Sequence, residues 1–444
     1  MTLAQTIRDH QPRVRANLAD LVAIESVSAD PSRLDQVHRS AEAVAALLTD
    51  TGCPDVRVVS AGGMPAVIGR YPAPAGRPTV CLYAHHDVQP EGDPATWATA
   101  PFAATEQGER LYGRGTADDK GGFAVHLAAL RAFDGRPPVG VTVFVEGEEE
   151  IGSPSLERLL ASEHDALAAD VFVIADSGNW DVGTPAFTAS LRGLADCVVT
   201  VSTLDHAVHS GSFGGPVPDA LTALCRLLAT LHDEAGDVAV AGLAVTEPPA
   251  LDYPEERLRA EAGLLEGVDW IGTGSLVERL WCKPAIAVIA LSTTTVDRAS
   301  NTLIPSASAK ISLRVAPGDD ADAALGHLTQ HLQERAPWGA HVRVEPGDTG
   351  QPSAIPFEGP YADAAQAAFR EAWSTDAVLI GQGGSIPMVA AFQEAFPGST
   401  VLVTAVADPD SRPHGANESL HLGDLERACV AEALMLERFA EVGS

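Results

Sequence analysis

The 444-residue sequence predicts an α/β fold, a mostly parallel sheet with helices on both faces, interrupted by an inserted α+β domain. Three observations predict it. Short apolar runs alternate with helical patterns through about the first 190 residues, the texture changes between about Thr188 and Gln351, and the first texture returns from Tyr361. Continuous apolar strands between helices are buried on both faces, as parallel pairing requires. The length agrees, because one hydrophobic core seldom grows beyond roughly 250–300 residues. The expected division is 1–187, 188–351 and 352–444, with the middle piece as the insert.

The elements follow in order. A helical pattern from Ser40 to Thr51 precedes the strands VRVVS and PAVIGRY. PTVCLYA comes next, then a helix over Gly122 to Phe133, the strand VGVTVFV, a helix over Ser155 to Leu160 and the strand VFVIAD. In the insert, longer helices over Asp219 to Glu234 and Asp320 to Arg335 lie between strands such as AKISLRV and HVRVEP, whose alternation marks one buried face. The chain then runs through YADAAQAAFREAW, AVLIGQGGS and TVLVTAVAD to a closing helix from Gly423.

Composition removes several function classes. Against 29 Lys+Arg stand 60 Asp+Glu, a formal charge of −31 that repels nucleic acid and anionic membranes. The six cysteines, Cys53, Cys81, Cys197, Cys225, Cys282 and Cys429, form no CxxC pair and read as reduced residues of a cytoplasmic protein. The N-terminal stretch carries charges at helical spacing without an apolar core, and no apolar run reaches the roughly 18 residues of a membrane span.

Four strand ends carry chemistry. TVCLYAHHDVQP puts His85 just beyond a strand with Asp87 two residues on, which suits either a metal ligand with its orienting carboxylate or a buried, hydrogen-bonded histidine. In LYGRGTADDKGG, Asp118 and Asp119 either cap the next helix or bind a cation. VFVEGEEEIGS ends a strand in Glu146, Glu148, Glu149 and Glu150, either a solvated loop or one side of a cation site. Asp176 ends VFVIAD, and SRPHGANES supplies His414. The strand C-termini of an open α/β sheet share one crevice, so these groups are expected to converge into a nitrogen and oxygen ligand set.

In these stretches the sequence resembles the M20 metallopeptidases, which include carnosinase-like dipeptidases, carboxypeptidase G2 and aminoacylase-1. The similarity runs almost end to end through AHHDVQP, WATAPF (Trp97 to Phe102), LYGRGTADDKGG, EGEEEIGS, IADSGNW, ASLRGL, HSGSFGG, the TLIP to SLRVAP region, GGSIP and HGANES. The resemblance implies two divalent ions per subunit, zinc foremost with manganese or cobalt as alternatives, bridged by Asp118 and by a water or hydroxide. His85 and Asp176 would hold one ion, Glu150 and His414 the other. Asp87 would orient His85, Glu149 would be the general base for attack by the bridging hydroxide, and the Asp118–Asp119 peptide would be cis. His209 would reach the oxyanion from the partner subunit of a homodimer built through the insert, the lid and dimerisation domain of the family. Arg314 would grip the substrate's terminal carboxylate, with Gly383, Gly384 and Ser385 lining the pocket. No role is assigned to His86 or His206.

The implied activity is hydrolysis of dipeptides or short peptides with a free C-terminal carboxylate. Two departures bear on specificity. Gly381 and Gln382 stand where carnosinase-like enzymes carry Arg-Glu, and Ala207-Val208 where they carry Asp-Leu. The first change keeps open an N-acyl- or N-carbamoyl-amino-acid amidohydrolase of the same chemistry. A metal-free binding protein is the alternative from another class, opposed by the intact ligand set.

Overall fold

The structure, a computed structural model, describes residues 2–384 and 387–442. The chain divides into two compact units, the first comprising residues 2–189, 355–380 and 387–442, the second 190–354 with 381–384.

The first unit is built on a large sheet. Its strand order is Asp55–Val59, Ala66–Tyr71, Gly140–Glu146, Thr79–His85, Val171–Ile174, Thr400–Val403 and Ala186–Leu191. From Gly140–Glu146 to Thr400–Val403 the pairing is parallel, and antiparallel strands flank this core on both sides. Every residue of Gly140–Glu146 and Val171–Ile174 is buried, which explains their unbroken apolar runs. Successive side chains point to opposite faces, and the two faces differ in character. Val80, Leu82, Ala84, Val141, Val143, Val145, Val171 and Val173 pack with helices Leu3–Val22, Lys120–Ala132, Pro360–Trp373 and Leu422–Phe439. Tyr83, Phe144 and Phe172 face the other way, against Phe392 of helix Pro387–Ala395 and Phe396 beyond it. Each such buried side chain contributes about 1.5–3 kcal/mol of transfer free energy, so the strand positions at the site are firmly fixed.

In the second unit, a four-stranded antiparallel sheet runs Ala285–Ser292, Ser306–Val315, Gly193–Ser202, His341–Gly350. Alternation sends Cys197, Val199, Val201, Ala309, Ile311 and Leu313 into one core with Leu224, Leu227, Leu325, Leu328 and Leu332 from helices Ala220–Leu228 and Ala321–Glu334. Asp219 and Asp320 accept hydrogen bonds from Thr222 and Ala323 backbone N–H groups and so start those helices. The first helix is shorter than its sequence pattern predicts. It tightens into a 3₁₀ turn at Ala229–Leu231, and His232 leaves to form a β-bridge with Val238.

Among the described residues no helix is long and apolar enough to cross a membrane, and all six cysteines are free thiols.

Candidate metal centre

The sequence ends three neighbouring strands in polar side chains, and the sheet brings them to one edge. His85 closes Thr79–His85, directly paired with Glu146 of the adjacent strand. The Glu149–Ile151 turn follows that neighbour, and Asp176 lies two residues beyond Val171–Ile174. Asp118 precedes helix Lys120–Ala132, and His414 sits in the loop after Thr400–Val403 with a left-handed φ of +62°. The Asp118–Asp119 peptide is cis.

Asp118 stands at the middle. Its Oδ1 is 3.1 Å from His85 Nε2, and its Oδ2 is 3.0 Å from His414 Nε2. Asp176 Oδ1 lies 3.9 Å from His85 Nε2, and Glu150 Oε2 lies 3.3 Å from His414 Nε2. Two donor sets result, His85 with Asp118 and Asp176, and Asp118 with Glu150 and His414, each with its ligand atoms within 4.8 Å of one another. Glu149 Oε2 is 4.0 Å from His85 Nε2.

Such crowding shifts the protonation of Asp176, Glu149, His414 and His85. Burial, then the neighbouring charges of Asp118 and Glu150, raises the Asp176 carboxyl to about 7, although His85 opposes the rise. Glu149 is pushed well above its ordinary range by burial and by Asp176 and Glu150. The His414 imidazole rises to about 10 through hydrogen bonds to Asp118 and Glu150. Burial opposes the charging of His85, but its bonds to Asp118 and Asp87 prevail and its pKa is well raised. These shifts favour protons on the crowded groups, and divalent cations bound there would displace them. The donors fit such ions.

Asp87 does more than its expected task. Its Oδ1 lies 3.4 Å from His85 Nδ1, while its carboxylate accepts the Ser28 hydroxyl at 2.6 Å and the backbone N–H groups of Glu149 and Glu150 at 3.2 and 3.1 Å. One buried carboxylate therefore orients both the histidine and the glutamate turn. The other glutamates of the run also have partners. Glu146 accepts the Tyr83 hydroxyl at 3.0 Å, and Glu148 accepts backbone N–H groups from Met64 at 2.9 Å and Ser155 at 2.7 Å. Glu146 thus links two adjacent strands, and Glu148 ties loop segments together. His86 is buried and bonded to the Pro65 carbonyl, its pKa lowered by burial to about 4, and His206 is exposed beside Asp205.

The remaining expected residues belong to the second unit. His209 is exposed in the short strand Val208–His209, and its Nδ1 accepts the Gly211 N–H at 3.1 Å. Arg314, on Ser306–Val315, is half-buried and makes no ion pair among the described residues. Gly383 and Gly384 follow Val378–Gln382, and Ser385 lies outside the described residues. A Cβ at Gly381 would fall 2.6 Å from Trp281, so the position accepts glycine alone without rearrangement.

Sequence reasoning missed Ser28, Gln89, Arg114 and Glu418. Gln89 donates its backbone and side-chain N–H groups to the Glu150 carboxylate at 3.0 and 2.8 Å. Gln89, Arg114 and Glu418 stood inside motifs already singled out, but only the fold gives them partners.

This arrangement of paired carboxylate and imidazole donors forms two candidate metal-ligand groups on an α/β scaffold, of the kind a metallohydrolase needs. The chain belongs to peptidase family M20/M25/M40, whose model matches residues 81–438, and is accordingly a peptidase-family enzyme. The cysteinylglycine-S-conjugate dipeptidase of Corynebacterium striatum is 34% identical over 434 residues, covering 96% of this chain and 95% of that protein. The human Beta-Ala-His dipeptidase is 29% identical over 450 residues, covering 94% and 88%. The crystal structure of human carnosine dipeptidase 1 superposes with a TM-score of 0.81 at 26% identity, covering 99% of this chain and 98% of that one.

Proposed function

We propose that this enzyme hydrolyses the amide bond of dipeptides and short peptides bearing a free C-terminal carboxylate, with two divalent ions and with Glu149 as general base. The observation that carries this reading is the pair of donor sets sharing Asp118. His85 and Asp176 would complete one ion's ligands, Glu150 and His414 the other's. Imidazole and carboxylate donors suit zinc, manganese and cobalt, and zinc is the first choice. Ions bound there supply Lewis acidity that draws the pKa of a water toward neutrality and polarises the scissile carbonyl.

The chain's own residues do the rest. Glu149, half-buried and with its pKa raised by desolvation and its acidic neighbours, takes the proton from the attacking water and returns it to the leaving amine. Asp87 fixes the His85 ring and holds the Glu149–Glu150 backbone, so base and ligand move as one piece. Arg314 would take the terminal carboxylate through its planar fork, and Gly383 and Gly384 would offer backbone N–H donors to the substrate. His209 offers a donor to the oxyanion across a homodimer. The edge strand Ala285–Ser292 supports such a dimer, because it leaves Val288, Ile289 and Leu291 exposed. Relatives named for Cys-Gly conjugates and β-Ala-His support a dipeptide substrate.

A second reading, hydrolysis of N-acyl or N-carbamoyl amino acids, is favoured by one observation. Position 381 has no room for the arginine of the carnosinase-like pattern. Mass spectrometry of products from a panel of dipeptides, their C-terminal amides, N-acetyl and N-carbamoyl amino acids, with zinc or manganese added, decides between them. Cleavage of dipeptides that vanishes on amidation is expected. Cleavage confined to acyl or carbamoyl compounds would replace the dipeptidase reading with the second.

A further inference from the structure

Arg114 and Glu418 are both buried, with side-chain exposures of 1% and 0%, and form an ion pair at 2.5 Å. A buried pair of this kind is costly to desolvate, so it persists where additional hydrogen bonds complete it. Here those bonds all reach loops that carry ligands. The other Glu418 oxygen accepts the backbone N–H groups of Ala117 at 3.0 Å and Asp118 at 3.1 Å. Arg114 Nη2 donates to the carbonyls of Pro90 at 3.3 Å and Gly415 at 3.2 Å. Its backbone N–H bonds the Pro101 carbonyl at 2.7 Å, and its guanidinium lies 5.5 Å from the centroid of the Trp97 ring.

These contacts have a pattern. Pro90 follows Gln89, whose N–H groups hold the Glu150 carboxylate. Gly415 follows His414, and the Asp118 N–H belongs to the shared ligand itself. The pair thus braces the backbone at Asp118, beside His414 and beside Gln89, and so reaches Asp118 and His414 directly and Glu150 through Gln89. In the first set, His85 ends a fully paired central strand and bonds Asp87, and Asp176 lies just past another.

We infer that the Arg114–Glu418 pair is a positioning device for the second ion, setting the separation of Asp118, Glu150 and His414 while leaving the first ion's other two ligands to the sheet. The inference rests on the two-ion reading above. A Glu418→Gln substitution keeps the size of the side chain and an oxygen for the two N–H groups but presents an amide to Arg114, which loosens the brace with little change of shape.

The test is titration of chelator-stripped full-length protein with Co²⁺, followed by calorimetry and visible absorption. Asp176→Asn and His414→Ala variants supply the spectra of each set impaired. Glu418→Gln is expected to weaken one ion by about 10–100-fold, the range for loss of a group supporting a ligand, with the spectral change of His414→Ala and the other ion held within about threefold. Glu432→Gln, which breaks the buried His126–Glu432 pair elsewhere in the same unit, serves as the purely structural control and should keep both affinities. If Glu418→Gln does not fold, Arg114→Lys, which keeps the charge and loses the fork, takes its place. Equal weakening of both ions, or unchanged affinities, would overturn the inference. Uptake of one ion by the wild type would instead remove the two-ion reading on which it stands.

Discussion

Asp87 shows how much one side chain can organise. It meets His85 and also accepts the N–H groups of Glu149 and Glu150, while the carboxylates of Glu146, Glu148 and Glu150 each have donors of their own. Glu146 and Glu148 face hydroxyl and N–H donors, Glu150 faces Gln89 and His414, and among the described residues the Glu149 carboxylate has no such donor and stays near His85. His414→Ala removes the imidazole from the more exposed set and should lose one bound ion with most of the activity, while the set containing His85 keeps its own. Metal analysis after dialysis checks this, and two retained ions would contradict the ligand assignment. The ligand types were legible in the sequence because strand ends converge by rule in such sheets. The Arg114–Glu418 brace was not, since its members lie 304 residues apart and no local period connects them.

Among elements, the helix pair behind the sheet carries a titratable joint. His126 on Lys120–Ala132 bonds Glu432 on Leu422–Phe439 at 2.8 Å and the Tyr83 carbonyl at 2.9 Å. Burial works against its charge, but Glu432 outweighs burial and raises the imidazole pKa above 6.5. A raised folded-state pKa means stability that is fully present below the unfolded value and is lost as pH climbs through the folded one. Melting temperature should therefore decline as pH rises beyond about 6.5, and Glu432→Gln should destabilise by about 3–5 kcal/mol at pH 6 and by progressively less at higher pH. A stability difference independent of pH would show that the pair is not charged. The elements themselves were readable from their apolar periods. The helix expected over Asp219 to Glu234 is the instructive exception, because a bridge between His232 and Val238 overrides its local propensity.

For the whole molecule, the open question is how many chains make one site. His209 is exposed, and the apolar edge strand Ala285–Ser292 offers a surface that a second copy would cover. Mixing inactive His209→Ala with inactive Glu149→Ala should restore part of the activity, because a mixed dimer contains one site with both residues intact. Ile289→Asp at the exposed edge should abolish that recovery and halve the mass seen by light scattering. Absence of recovery with wild-type mass would place the oxyanion donor within one chain.

The most direct test of the central claim measures metal content and turnover of Glu149→Gln on a dipeptide in the same preparation. Two divalent ions per chain are expected, as in the wild type, with kcat reduced by about 10²–10⁴-fold, because a proton acceptor is lost while the ligands stay. Turnover near the wild-type rate with both ions in place would contradict it.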